Sequence, residues 1–253
     1  MASAEYASPW HTVSAIATPD HIWDELSDDY QELLSPVEAH RAIYIDFEGS
    51  KDQEPALLGS LWAYGKTPTD DKLRCVHDIH HPSLKPVVGA VELSADDLKD
   101  YQQRFRSVEQ SLNALLLLAQ AQNRLVVSWS PHEFVKVVEH GLSADLFALF
   151  QRTYRDGKAT AMAWLEQEER SVAKGSNTLV HYLDATGYPI PEEYGLRKTT
   201  KRLNSVINGV KKKGSYEALI ASQKKNWENL LIHNFTDCHG LRHVTKFASA
   251  ALP

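Results

Sequence analysis

The chain has 253 residues, which is enough to bury the core of one large domain or of two small ones. Its content of 43% apolar and 24% charged residues is typical of a globular protein, and a formal net charge of −6 gives no overall indication of nucleic-acid binding. Two cysteines, Cys75 and Cys238, are too few for a disulfide framework or for a zinc site of their own, which favours a reducing cytoplasm. The longest apolar run, in residues 112–121, is too short to cross a bilayer, and the N-terminus has no signal-peptide pattern. We therefore expect a cytoplasmic protein that does not contact the membrane.

The first part of the chain predicts an N-terminal extension followed by three strands. Residues 1–38 have a mixed character and include one acidic amphipathic helix at 19–34, so we place the main domain at 39–253. Three apolar segments separated by short polar turns then predict an antiparallel meander. These predicted strands are 41–48, 56–64 and 73–80.

Beyond residue 93 the apolar spacing becomes helical and alternates with short strands. Predicted helices cover 94–122 with Ser94 as N-cap, 130–141, 143–170 with a break near Gly157, the segment around 194–209, and most of 215–252. Predicted strands cover 124–130 and 177–185. The order of three strands, helix, strand, helix, strand and further helices predicts an α/β fold with a mixed five-stranded sheet flanked by helices.

Two carboxylates stand at the end of the first predicted strand, in the sequence "RAIYIDFEGS". Side chains of a strand alternate between its faces, so Asp46 and Glu48 point the same way while Ile43 and Ile45 point the other way. The two acids are roughly 6.5 Å apart along the strand and repel each other by roughly 2.5 kcal/mol at an effective dielectric constant of about 20. An exposed strand end would tolerate this pair by solvation, whereas a buried one requires a cation.

Further acids stand at the starts of predicted helices and inside the last one. His233 and Asp237 in "HNFTDCHGLRHV" are four residues apart, about one helical turn. Glu133 in "SWSPHEF" begins the helix that follows the fourth predicted strand, where it is also the third helical residue of a capping box on Ser130. Asp184 in "HYLDAT" is the runner-up for this third acidic position, ahead of Asp156.

These motifs, in this order, resemble those of the DEDD exonuclease superfamily, whose fold is ribonuclease-H-like. "YIDFEG" is similar to its first motif, Asp-x-Glu at the end of the first strand, and "HNFTDC" is similar to its last motif, with His233 where the tyrosine branch has Tyr-x-x-x-Asp. The closest similarity is to YprB-like and RecB-associated ribonuclease-H-like nucleases, whose final helix carries Asn-x-x-Asp. The middle motif usually holds Asp where this chain has Glu133. The resemblance covers about residues 40–250.

The resemblance implies a metal-dependent nuclease that cleaves DNA or RNA, with 3′-to-5′ exonuclease activity. Two Mg²⁺ or Mn²⁺ ions, which prefer carboxylate oxygens, would be held by Asp46, Glu48, Glu133 and Asp237. These cations would offset the repulsion at the strand end. His233 titrates near neutrality in solution and could act as the general base.

A basic segment supports a polyanionic substrate. Residues 197–225 carry a net charge of +8, which leaves −14 on the remainder of the chain. Such an asymmetry is expected of a surface that contacts a phosphate backbone, although a basic run is also common on a solvated face. The predicted nucleic-acid-binding residues are Arg197, Lys198, Lys201, Arg202, Lys211, Lys212 and Lys213.

Other interpretations stay open at the level of sequence. A non-catalytic nucleic-acid-binding or scaffold protein on the same fold is the main alternative, because Glu133 departs from the usual middle motif. A hydrolase of small phosphorylated molecules is a weaker one. A histidine group in "VHDIHH", formed by His77, His80 and His81, is more often incidental than a metal site.

Overall fold

The computed structural model describes residues 28–49, 54–64, 71–129, 131–139, 142–168, 177–194 and 198–253. These residues form a six-stranded mixed sheet with helices on both of its faces, so the predicted α/β class is confirmed while the predicted count of five strands is wrong. The strands are β1 (Ile43–Glu48), β2 (Leu57–Ala63), β3 (Leu73–Ile79), β4 (Leu98–Phe105), β5 (Val126–Ser128) and β6 (Tyr154–Asp156).

The sheet places β1 in a central position. The strand order is β4-β3-β2-β1-β5-β6. β1 pairs antiparallel with β2, β2 pairs antiparallel with β3, and the remaining neighbours pair in parallel. The first three strands therefore form the predicted meander, and their bounds lie within two residues of the predicted ones.

Helices cover both faces of the sheet. They are α1 (Pro36–Arg41), α2 (Val108–Gln122), α3 (Pro131–Glu139), α4 (Ala144–Thr153), α5 (Gly157–Gln167), α6 (Leu179–Ala185), α7 (Thr199–Lys213) and α8 (Ala221–Ala251). Ile43 and Ile45 of β1 face a core formed with α2, α3 and α4. Tyr44 faces the opposite core, in which α8 packs with α5 and α6. A third core joins α7 to α8 around Trp227.

The predicted long helix at 94–122 is wrong in its first half. Residues 98–105 form β4, which pairs in parallel with β3, and the helix starts only at Val108. Its N-cap is Ser107 instead of Ser94, with Gln110 completing a capping box. β4 is an edge strand whose side chains stay partly or fully exposed, so no apolar alternation marks it in the sequence.

Two further segments differ from the prediction. The predicted fifth strand at 177–185 is instead the helix α6, whose buried Leu179, Tyr182 and Leu183 lie at helical spacing and pack in the core beside α8. The predicted break near Gly157 is the short strand β6, which pairs in parallel with β5 at one edge of the sheet.

The N-terminal part of the chain is described only from residue 28 onward. Most of the predicted helix at 19–34 lies outside the described residues, and its described end is a short 3-10 helix, Asp28–Gln31. Leu34 and α1 already contribute to the core, because Leu34 and Ala39 are buried there. Among the described residues, no helix combines the length and the apolar character that a transmembrane span requires.

Candidate metal centre

The acids of β1 lie under the long helix α8. Asp46 and Glu48 share the strand face that carries Tyr44, as the alternation predicted, and this face is covered by α8. The Tyr44 hydroxyl is 2.8 Å from the Thr245 hydroxyl of α8. Glu48 is only 7% exposed and Asp46 is partly buried, so Glu48 does not lie at a solvated strand end.

Helix α8 brings the last predicted motif to the same place. His233 Nε2 is 3.7 Å from Glu48 Oε1 and 3.2 Å from Asp237 Oδ2. One ligand atom from each of Glu48, His233 and Asp237 can be chosen so that all of them lie within 4.8 Å of one another. Asn234, which follows His233, donates from Nδ2 to Asp46 Oδ2 (2.7 Å) and to the Asp46 carbonyl (3.1 Å). The first and last motifs therefore meet in space.

The hydrogen bonds of His233 fix which nitrogen faces the acids. His233 Nδ1 is 2.7 Å from the Tyr194 carbonyl oxygen, which can only accept, so Nδ1 carries the proton. Burial lowers the pKa of His233 to about 4, so the ring is neutral and Nε2 presents a lone pair to Glu48 and Asp237. Glu48 Oε1 has no hydrogen-bond partner among the described residues. Electron pairs that converge without a donor fit a cation, or a proton in its place.

The pKa values of the acids follow from the same crowding. Burial raises the pKa of Asp237 to about 7, against the hydrogen bond that the Tyr194 hydroxyl donates to Asp237 Oδ1 at 2.6 Å. Burial, and then the charges of Asp237, Glu48 and Glu133, raise the pKa of Asp46 well above its usual range. A cation would reverse these shifts, because it favours the ionised carboxylates.

Glu133 acts on the cluster through its charge. It lies in the first turn of α3, directly after β5, and is 8% exposed. Its charge raises the pKa of both Asp46 and Glu48. Asp184, the runner-up, is exposed on α6. Glu133 is thus within electrostatic range of the other acids, while Ser130, the N-cap of the rival capping box, lies outside the described residues.

The sequence did not predict Tyr194 and Thr199, two further residues that contact the site beside α8. Tyr194, at the end of a 3-10 helix (Glu192–Tyr194), stacks on His233 with ring centroids 4.2 Å apart, in addition to its bond to Asp237. At the start of α7, a hydrogen bond from the Thr199 side chain lowers the pKa of Glu48. No local pattern marks these residues, because their role depends on tertiary contacts with β1 and α8.

Some predicted residues have other roles. Arg202 does not project to solvent: it is 7% exposed and its guanidinium donates to the carbonyl oxygens of Glu193, Tyr194 and Asn229. Its inclusion among the nucleic-acid contacts is wrong for that reason. Lys198, Lys201, Lys211, Lys212 and Lys213 are exposed on α7 or at its N-cap, and Arg197 lies outside the described residues.

The remaining candidates are structural. Asp156 caps α5 by accepting a hydrogen bond from the Lys158 backbone N–H at 2.9 Å. The three histidines of "VHDIHH" do not converge on one point: His77 Nδ1 contacts Tyr101, His80 Nδ1 contacts the Arg106 carbonyl, and His81 caps a 3-10 helix.

Comparisons of the chain with protein-family models, with curated proteins and with solved structures found no match.

Proposed function

We propose that this protein is a metal-dependent nuclease of the DEDD type on a ribonuclease-H-like fold. The observation that carries the proposal is the convergence of Glu48, His233 and Asp237 at one largely buried point, where the charges of Asp46 and Glu133 also act. Burying several acids together is costly unless a cation pairs with them. The site fits Mg²⁺ or Mn²⁺ because its donors are mainly carboxylate oxygens.

The order of elements supports the fold part of the proposal. When β4 is left aside, the chain runs through three antiparallel strands, helix α2, strand β5, helices α3 and α4, and strand β6. This is the order that the ribonuclease-H-like resemblance implies. β4 is then an addition at the edge of the sheet, and α6, α7 and α8 follow the last strand.

Each site residue has a task in phosphodiester hydrolysis. Asp46, Glu48, Glu133 and Asp237 would hold two divalent cations, which lower the pKa of water and stabilise the charge of the leaving oxygen. His233 presents the Nε2 lone pair to the site and is proposed as the general base; the same lone pair suits it to bind a metal. Tyr194 holds one oxygen of Asp237 and the ring of His233, so both keep a fixed orientation.

The surface beside the site supports a nucleic-acid substrate. Thr199 touches Glu48 at the N-terminus of α7, and the exposed Lys198 and Lys201 lie within its first turn. Lys211, Lys212 and Lys213 lie about 20 Å further along the same helix. Exposed cations along a helix that starts at the metal centre suit a phosphate backbone leading into it.

The test is hydrolysis of single-stranded and double-stranded DNA and RNA, labelled at the 5′ or the 3′ end. We expect Mg²⁺- or Mn²⁺-dependent cleavage that EDTA abolishes, with loss of single nucleotides from the 3′ end. Asp46→Ala should lower kcat by at least about 100-fold, since it removes a metal ligand. Activity that survives EDTA, or that is unchanged in Asp46→Ala, would end the nuclease proposal.

Asp184→Ala is the matched control, because Asp184 is an exposed acid on α6. It should cleave like the wild type. If the wild type binds nucleic acid but cleaves none of the four substrates with either metal, the non-catalytic binding protein is the better description. DNA and RNA are distinguished by the same assay.

A further inference from the structure

A row of four residues crosses the sheet and ends at Asp46. Asp46 of β1 lies opposite Gly59 of β2, Gly59 lies opposite His77 of β3, and His77 lies opposite Gln103 of β4. All of them are on the face covered by α8. Adjacent strands are about 4.8 Å apart, so His77 and Asp46 are separated by about 10 Å and cannot touch across the row.

Asn234 of α8 fills the gap above the glycine. A Cβ atom on Gly59 would lie 1.7 Å from Asn234 Oδ1, so a side chain at position 59 would displace the amide. From this position Asn234 donates to Asp46 on one side. On the other side it meets His77, which is 0% exposed, and a hydrogen bond to Asn234 opposes the lowering of the His77 pKa by burial.

Tyr101, His77 and Asn234 can each donate a hydrogen bond in the direction of Asp46. The Tyr101 phenol stays protonated because burial raises its pKa, and its oxygen is 3.0 Å from His77 Nδ1. Burial lowers the pKa of His77 to about 4, so the ring is neutral; when Nδ1 accepts from Tyr101, the ring proton is on Nε2. His77 Nε2 and Asn234 Oδ1 are both buried, and neither makes a hydrogen bond of normal geometry among the described residues. They are a donor and an acceptor on neighbouring side chains, and the effect of Asn234 on the His77 pKa supports pairing them with each other.

We propose that Tyr101 and His77 form a hydrogen-bond relay that fixes the amide of Asn234 and thereby positions Asp46 for metal binding. Asp46 Oδ2 accepts from Asn234, which leaves Oδ1 for the cation. With His77 donating to Asn234 Oδ1, the amide cannot rotate to present its oxygen to Asp46. The inference rests on the proposed metal centre and adds to it two positioning residues, His77 and Tyr101, from strands that carry no metal ligand.

The experiment compares His77→Gln with His77→Asn. The Gln amide reaches the position of the histidine Nε2 and can still donate to Asn234, whereas the shorter Asn amide reaches only the position of Nδ1. The Mn²⁺ dissociation constant is measured by calorimetry, and the Mn²⁺ concentration for half-maximal cleavage is measured alongside it. We expect His77→Asn to bind Mn²⁺ at least about 10-fold more weakly, with activity recovering at high Mn²⁺, and His77→Gln to bind like the wild type.

Tyr101→Phe is the second variant, since it keeps the ring and removes only the donor to His77. It should weaken Mn²⁺ binding in the same direction but less, because His77 is then free to adopt either tautomer. If the relay has no role in metal binding, His77→Asn and Tyr101→Phe should lower the melting temperature and leave the Mn²⁺ dissociation constant unchanged. That result would overturn the proposal.

The outcomes separate this inference from the proposed function. Mn²⁺ binding that depends on His77 in a protein without nuclease activity supports the relay and rejects the nuclease. Nuclease activity with the same Mn²⁺ affinity in all variants rejects the relay alone. A wild-type protein that binds no Mn²⁺ rejects both.

Discussion

Asp156 shows how a single buried acid affects stability outside the metal centre. Burial raises its pKa to about 6, against the stabilising hydrogen bonds at the start of α5. The folded protein therefore binds more protons than the unfolded chain between about pH 4 and pH 6, so this contribution to stability is lost as the pH rises through that range. We expect Asp156→Asn, which keeps a capping side chain, to raise the free energy of unfolding by up to about 3 kcal/mol at about pH 7 and hardly at all at about pH 4. Urea unfolding at the two pH values checks this, and equal effects at both would contradict it.

At the scale of single residues, the sequence predicted the side chains that the structure brings together better than the residues that hold them in place. Asp46, Glu48, His233 and Asp237 were found because each pair is local and its spacing places both members on one face of a strand or helix. The supporting residues come from separate elements. Tyr194 and His77 reach the site only through tertiary contacts, and Arg202 turned out to be an inward anchor because three carbonyl oxygens meet at its guanidinium.

Glycines set how closely α8 approaches its neighbours, and substitutions at Gly59 and Gly240 give a test variant and its control. A methyl group at Gly59 would collide with Asn234, while one at Gly240 of α8 would lie 2.6 Å from Leu183 Cδ2, the flexible end of an apolar side chain. Gly59→Ala should therefore cost about 1–3 kcal/mol by overpacking and also weaken Mn²⁺ binding, because it displaces the partner of Asp46. Gly240→Ala adds its methyl group away from the acids and should leave Mn²⁺ affinity unchanged. Calorimetry with Mn²⁺ on both variants checks this; equal losses of affinity would show that the effect is general loosening.

At the scale of elements, the first three predicted strands, which hold apolar runs, were right, and the strands β4 and β6 were missed. β1, β2 and β3 are largely buried apolar segments between polar turns. β4 pairs through its backbone at the sheet edge and has the sequence "LKDYQQRF", which resembles the start of an amphipathic helix. The prediction of a strand at residues 177–185 is wrong for the opposite reason. Their branched and aromatic side chains are typical of strands, yet helical spacing lets Tyr182 and Leu183 pack in the core of α8, and tertiary packing decides.

At the scale of the whole molecule, the acidic side chains of the candidate site and the basic side chains of α7 form two separate groups that adjoin each other. Cations would offset the repulsion among the buried acids, and the exposed lysines of α7 start beside them, so a polyanion and divalent metals would neutralise adjoining parts of one surface. The sequence predicted this asymmetry from the net charge of residues 197–225. It could not predict that α7 begins at Glu48, because that depends on how the chain folds back after α6.

The pH dependence of metal binding tests this arrangement as a unit. Because burial raises the pKa of Asp237 to about 7, the metal-free protein should lose stability as the pH rises from about 4 to about 7, by an amount on the order of 4 kcal/mol for this group. The proposed site requires the ionised acids, so Mn²⁺ should stabilise the protein little at about pH 5.5 and strongly at about pH 8. At about 100 times the dissociation constant the gain is about 2.7 kcal/mol, or roughly 5–10 °C in melting temperature. Asp237→Asn should abolish the gain, while Asp184→Asn, on the exposed side of α6, should keep it. A Mn²⁺-induced shift of the same size at both pH values, or one that persists in Asp237→Asn, would place the metal elsewhere on the molecule.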